Sequence, residues 1–414
     1  MGRFLERASF ALAFLSAVSI LCSIALSQVL LALSLAALLV SGKRLQFPPL
    51  RLPLALFVGI TVVAVLASGD ARGGLPQLRK FFVFAMVLVI YSTFESVREV
   101  RWLVAAWACV ALASAILGFI QYVQRRQEAN TYEYLVDGRI TGFESHWMTF
   151  GGQEMIVLLL IASYILFSGR RTSRLTGLVV LSVLLTAVTL NMTRCIFLLG
   201  VPCGLGYLIW RRRRILILAG IAVISAAAIL APRAIQERAI SVFKPHAGVD
   251  SNQHRAVCRM VGWEMVKRHP WLGLGPEQIG RQFDGYVPAT VPRPLPNGWY
   301  GHLHNIYLQY AAERGVFGLL ALLWFIGKAA LEFHQRLRQE TNPEIRAVLH
   351  GAIAVILAVL AEGYFEYNLG DSEVLTLFLS VVACGYVAVR TTPASEGLSV
   401  SSEAEVCLAG EGAR

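Results

Sequence analysis

The sequence predicts an all-α, polytopic membrane protein of about twelve transmembrane helices with one large outer loop. Three observations carry this. Of 414 residues, 56% are hydrophobic and only 15% charged, with a mean hydropathy of +0.60, where a soluble domain averages about 25% charged. The charged residues fall in clusters between long apolar runs, which one soluble core does not produce. The basic residues of the short loops gather on one side.

The elements follow in order from the length of apolar chain that crosses a bilayer, about 20 residues. The run from Ser9 to Ser41 is too long for one span and is read as two with a tight turn near Ser27-Gln28. Further spans are expected at 53–68, 78–94, 101–121, 148–168, 174–191, 195–210 and 213–231, then at 304–327, 346–366 and 372–390. No small-residue cleavage site precedes a polar region, so the first span is expected to act as an uncleaved signal-anchor. Clusters such as Arg170-Arg171 and Arg211 to Arg214 fall in the loops expected inside. The bias places both termini in the cytoplasm and the loop 232–303 outside, in the periplasm of a Gram-negative cell. Four regions result: helices one to nine over 1–231, the outer loop domain 232–303, helices ten to twelve over 304–390, and a tail 391–414. The tail is rich in Ser, Gly, Glu and Ala and is expected to be disordered.

The net charge of +11 is accounted for by these loops, so no nucleic-acid partner is expected. The seven cysteines have no metal-type spacing, and no structural zinc is expected.

The outer loop is the one soluble stretch large enough to fold. A polar helical stretch starts at Pro232, and a second runs from about Asn252 to His269 and stops at Pro270. Residues 287–298 hold four prolines and form an extended strap back to the membrane. Arg255 and Arg259 lie one turn apart and can present two guanidiniums to a diphosphate; a solvated basic face is the plainer reading. Arg194, between two apolar runs, either snorkels in a tight turn or serves a wet, anionic site. Arg79 and Lys80 are read as interface anchors or as help in holding a lipid phosphate. Glu362, Glu366, Asp371 and Glu373 flank the last outer turn. They could balance the arginines, orient a histidine or touch a sugar, but solvated loop charge is the simplest reading.

The stretch GHLHNIYLQYAAERGVFG places His302 and His304 where the loop meets the membrane. Histidine titrates nearest neutrality and can take a proton there. With a helix starting near His304, Tyr307, Leu308, Ala311 and Gly315 share a face, and the small residues are expected to admit another helix. The helix N-terminus would keep His304 neutral and favour an anion nearby.

His304-Asn305, nine residues and then Gly315-Val-Phe-Gly318 resemble the signature of the O-antigen ligase family, which also takes in polymerases and protein-glycosylating enzymes. RAVCRMVGWEMVKRHPWLGLGP resembles that family's Arg-containing outer-loop helix, and NMTRCIFLLG its membrane-embedded Arg segment. Cys195 stands where many relatives have Gly or Ala. The resemblance implies an inverting, metal- and cofactor-independent glycan transfer from undecaprenyl diphosphate to the lipid A–core oligosaccharide. It implies His304 as general base, Arg194 and Arg255 on the diphosphate, and His302 as a supporting partner. Arg259, Asn305, Arg79 and Lys80 complete the expected substrate-binding set. A monomer in the inner membrane, contacting membrane lipids and with its site facing the periplasm, is expected.

An O-antigen polymerase shares this chemistry, as does a protein O-oligosaccharyltransferase, although those tend to carry an added C-terminal region. A lipid-glycan flippase or transporter predicts charges along a central path and paired repeats, whereas here the informative polar residues gather at one face.

Overall fold

The computed structural model describes residues 2–169, 174–213, 232–246 and 248–391. The expected span at 213–231 and the tail beyond Thr391 lie outside the described residues. Helix is the only regular structure among those described, with no strand.

Six helices are long and apolar enough to cross a membrane: Ala71–Thr93, Val97–Glu128, Trp147–Phe167, Ile306–Gln339, Pro343–Glu362 and Ser372–Arg390. Ile24–Val40, Arg51–Ala67 and Arg174–Leu190 are shorter apolar helices. The boundaries have local causes. Ser96 and Glu99 close a capping box at the start of Val97–Glu128, the Ser96 hydroxyl accepting from the Glu99 amide and the Glu99 carboxylate from the Ser96 amide. Asn342 caps Pro343–Glu362, with proline at the first position where no amide is needed. Trp147–Phe167 and Pro343–Glu362 pack on each other and form the buried centre of the bundle.

The opening hairpin turns earlier than expected. The first helix ends at Ser19, and the second starts at Ile24 with Ser23 as its cap. Ser27 lies inside the second helix, where its backbone oxygen accepts from the Ser16 hydroxyl at 2.7 Å. Ser9 and Ser34 make the equivalent contacts lower in the hairpin, so paired serines join the two helices where lipid offers no partner.

The loop 232–303 follows its sequence more closely. Arg233–Ile240 and Asn252–Arg268 are helices, and 287–298 contains none. Its HPWLGLGP turn settles the role of Gly315. That glycine breaks the helix Ile306–Gln339 at φ 67° and ψ −179°. A Cβ there would stand 1.9 Å from the Trp271 oxygen. The close approach is therefore made by the outer-loop turn and not by another helix. The backbone groups freed by the break are satisfied by that turn: Val316 N–H donates to Pro270 O at 2.8 Å, Leu274 N–H to Ala312 O at 2.8 Å, and Gly275 N–H to Glu313 O at 3.0 Å. The HPWLGLGP stretch and the helix around Gly315 thus form one joint, fixing the loop domain on the helix that follows the histidines.

Candidate active site

The joint brings His304 to the floor of a polar cavity of about 640 Å³. His304 stands two residues before the helix, which begins at Ile306 with Asn305 as its cap. Its φ of 49° is left-handed, a conformation costly for a side chain and found where surroundings over-determine it. Here the His304 N–H donates to His302 Nδ1 at 3.1 Å. Asn305 Oδ1 accepts from Leu308 N at 2.8 Å and its Nδ2 donates to Tyr364 O at 2.8 Å. Both ends of Asn305 bond to the backbone, so its side chain holds the turn.

The side-chain partner of His304 is Glu366. The carboxylate takes His304 Nδ1 on one oxygen at 2.9 Å and an Arg255 terminal nitrogen on the other at 2.6 Å. Glu366 is 2% exposed. Burial alone would raise its carboxyl, but the facing His304 and Arg255 hold it well below the usual carboxylate range. An ionised Glu366 requires Nδ1 of a neutral His304 to carry the proton, which leaves Nε2 with a lone pair. Among the described residues the hydrogen-bond contact at Nε2 is the Trp299 carbonyl oxygen at 3.5 Å, and a carbonyl has no proton to give it. Solvated loop charge, the simplest sequence reading, therefore fails for Glu366, and also for Glu362, which is fully buried and accepts both oxygens' bonds from Asn368.

Three more histidines line this cavity: His146, and two with ring centroids 4.0 Å (His302) and 5.0 Å (His254) from that of His304. Burial and the neighbouring His304 push His302 down to about 3 and His254 down to about 4, so both are neutral at physiological pH. Ligand atoms of His302, His304 and Glu366 lie within 4.8 Å of one another, close enough to hold a metal ion. Sequence spacing could not reveal this group because Glu366 comes from a different turn. The Nδ1 atoms of both histidines already serve the hydrogen bonds just described.

A second cavity, of about 670 Å³, adjoins the first and shares Arg255 with it. Its walls are apolar, with Leu198, Leu199, Ile240, Val242 and Phe243, and its cations are Arg194, Arg255 and Arg259. Arg194 does not snorkel. It is 8% exposed, donates to Ser241 Oγ at 3.0 Å, and stands 4.0 Å from Asp250, which is paired with Arg238. Burial and the charges of Arg238 and Arg255 pull Arg194 down to about 10, still a cation at neutral pH. The Nε of Arg255 has no hydrogen-bond partner among the described residues and stays available.

Lys80 lines the polar cavity and donates to Gly370 O at 2.9 Å, whereas Arg79 is exposed and lines neither cavity. Arg139 also lines the polar cavity, stacked 4.2 Å from the Trp147 ring centroid, with its Nε unpartnered among the described residues.

Fold and site together define a multi-pass, helical membrane protein that sets a histidine–carboxylate pair beside arginines that line an apolar cavity. Residues 179–323 match the Wzy_C family model, O-Antigen ligase, a stretch that takes in Arg194, Arg255, His304 and Gly315. That match supports the O-antigen ligase family, to which the sequence motifs also point. No curated protein matches the chain.

Proposed function

We propose that the protein is an O-antigen ligase: it transfers a glycan from undecaprenyl diphosphate to the lipid A–core oligosaccharide at the periplasmic face of the inner membrane. The observation that carries the reading is the buried Glu366 carboxylate, which ties the free-lone-pair histidine to the arginine shared by the polar and apolar cavities.

In this reading the polyprenyl chain lies along the apolar cavity, and its diphosphate meets Arg194, Arg255 and Arg259. The acceptor hydroxyl oxygen attacks the anomeric carbon from the polar cavity. The bond from that carbon to the diphosphate oxygen breaks, and its electron pair stays on the diphosphate. The hydroxyl proton passes to His304 Nε2. Glu366 keeps Nδ1–H directed at itself and stabilises the imidazolium that forms, while the guanidiniums take up charge growing on the leaving group. Diphosphate is already a good leaving group, so fixed positive charge and positioning supply much of the acceleration.

The test is lipopolysaccharide from a ligase-deleted host expressing the wild-type protein beside His304→Ala. A ladder with wild type and bare core with the variant is expected. A ladder that persists in His304→Ala at equal membrane expression removes His304 from the base role. Polymer growing on the lipid carrier, with the core left bare, would replace the ligase reading by the polymerase one.

A further inference from the structure

Resting on that reading, we propose that Trp299 and Glu277 form the subsite for the acceptor saccharide, with the Trp299 indole as stacking platform and the Glu277 carboxylate as hydroxyl acceptor. The base fixes where the acceptor sugar must lie, because its reacting hydroxyl has to reach His304 Nε2. Trp299 is the residue whose backbone oxygen faces that nitrogen, at 3.5 Å.

Trp299 is 66% exposed, an unusual state for a large apolar ring in a polar cavity. Trp263 and Trp271 are also exposed on the outer loop, but neither lines this cavity. Trp147 does line it, and there the ring is already covered by Arg139 and His146. Trp299 is held in place from three sides. Its backbone oxygen pairs with His254 Nε2 at 2.9 Å. Its ring stands edge-on to His302 with centroids 4.8 Å apart. A Cβ on Gly301 would fall 2.0 Å from the indole, so only glycine lets the ring fold back over the chain there. A fixed aromatic face is what the C–H side of a pyranose stacks on, since those hydrogens carry partial positive charge and the face partial negative.

Glu277 supplies the polar half. Its backbone is left-handed at φ 65°, an outlier for this residue type, and its amide is tied to Glu313 Oε1 at 3.1 Å. Its Oε1 accepts from Gln77 Nε2 at 2.6 Å, and Gln77 in turn accepts from buried Arg314 at 3.0 Å. The other carboxylate oxygen takes no hydrogen bond among the described residues, and Glu277 lines the same cavity as Trp299. A carboxylate so oriented accepts from sugar hydroxyls, whereas the arginine side of the cavity serves the anionic donor.

The test titrates lipid-free core oligosaccharide against the detergent-purified full-length protein with no donor present. Wild type and W299F are expected to bind alike, while W299L, which keeps an apolar side chain but no ring, and E277A each weaken binding about tenfold. Binding unchanged in W299L overturns the subsite, as does a wild type that transfers glycan to lipid A–core yet binds no core oligosaccharide. Transfer kinetics separate this from the function itself. If wild type glycosylates lipid A–core and W299L raises the KM for that acceptor while the donor KM holds, the subsite stands. If wild type transfers and W299L leaves the acceptor KM unchanged, the subsite falls and the ligase reading survives. If wild type extends a second lipid-linked glycan instead, the ligase reading falls, and a W299L effect on the KM of that acceptor upholds the subsite.

Discussion

Glu366 serves two partners on opposite sides of the proposed reaction, His304 on the acceptor side and Arg255 on the leaving-group side. Glu366→Gln keeps the size but removes the charge and gives the side chain a donor group facing either Nδ1–H or a guanidinium. One of the two contacts must then break, and the imidazolium formed during transfer loses its counter-charge. We expect turnover to fall by about 10²-fold or more, in the range of general-base effects, with protein still in the membrane. Glycan transfer by the purified variant within threefold of wild type would show that the carboxylate is dispensable. At this scale the sequence exposed His304, Arg255 and Arg194, because each lies in a motif whose spacing or polarity is odd for its surroundings. Glu366 was visible only as one of four acids in a short turn. Its importance comes from a pairing across 62 residues with a histidine and across 111 with an arginine, which no local pattern encodes. Arg139 was hidden for the same reason, as one more basic residue in an outer loop.

The element that decides whether these residues meet is the broken helix Ile306–Gln339. Its glycine was legible as a motif, and its apolar run as a span, but the two together suggested helix–helix packing. The break depends on a hydrogen-bonded turn from the other side of the site, so the reason for Gly315 lies in Trp271 and Pro270 and not in its own helix. Gly315→Ala meets both a left-handed φ and a backbone contact that cannot yield. Left-handed strain alone costs about 1–3 kcal/mol, and displacing the turn adds to it. The expected outcome is a clearly lowered thermal midpoint in detergent, with loss of transfer as the outer loop shifts from the histidines. Gly327→Ala is the matched control on the same helix: nothing lies within 4 Å of its added Cβ, and alanine there should gain up to about 1 kcal/mol of helix stability. Equal midpoints for the two variants would mean that the turn does not lock the break. Helix ends elsewhere were readable because their causes are local, as with Ser96 and Glu99. The opening hairpin was misplaced because its turn is set by serine contacts between helices.

Across the whole molecule, the helical, multi-pass layout follows from hydropathy, whereas the two cavities do not: Asn252–Arg268 lines both, and Arg233–Ile240 lines the apolar one. The apolar cavity ends at Phe243, which is 87% exposed. An apolar ring left open beside three arginines suits a chain that is greasy at one end and doubly anionic at the other. If a polyprenyl chain lies there, Phe243→Ser removes apolar contact from the lipid and leaves the arginines, the histidines and Glu366 in place. Burying a phenylalanine side chain is worth about 1.5–3 kcal/mol, so the KM for a long-chain polyprenyl-diphosphate donor should rise about tenfold or more. A donor carrying the same glycan on a short, soluble prenyl chain has little tail to reach Phe243, and its KM should be nearly unchanged. That contrast separates the groove from the chemistry: a variant that raised both KM values equally would be disturbing the diphosphate site. A variant that changed neither would place the lipid elsewhere and leave the three arginines binding the diphosphate from a tail that runs directly into the bilayer.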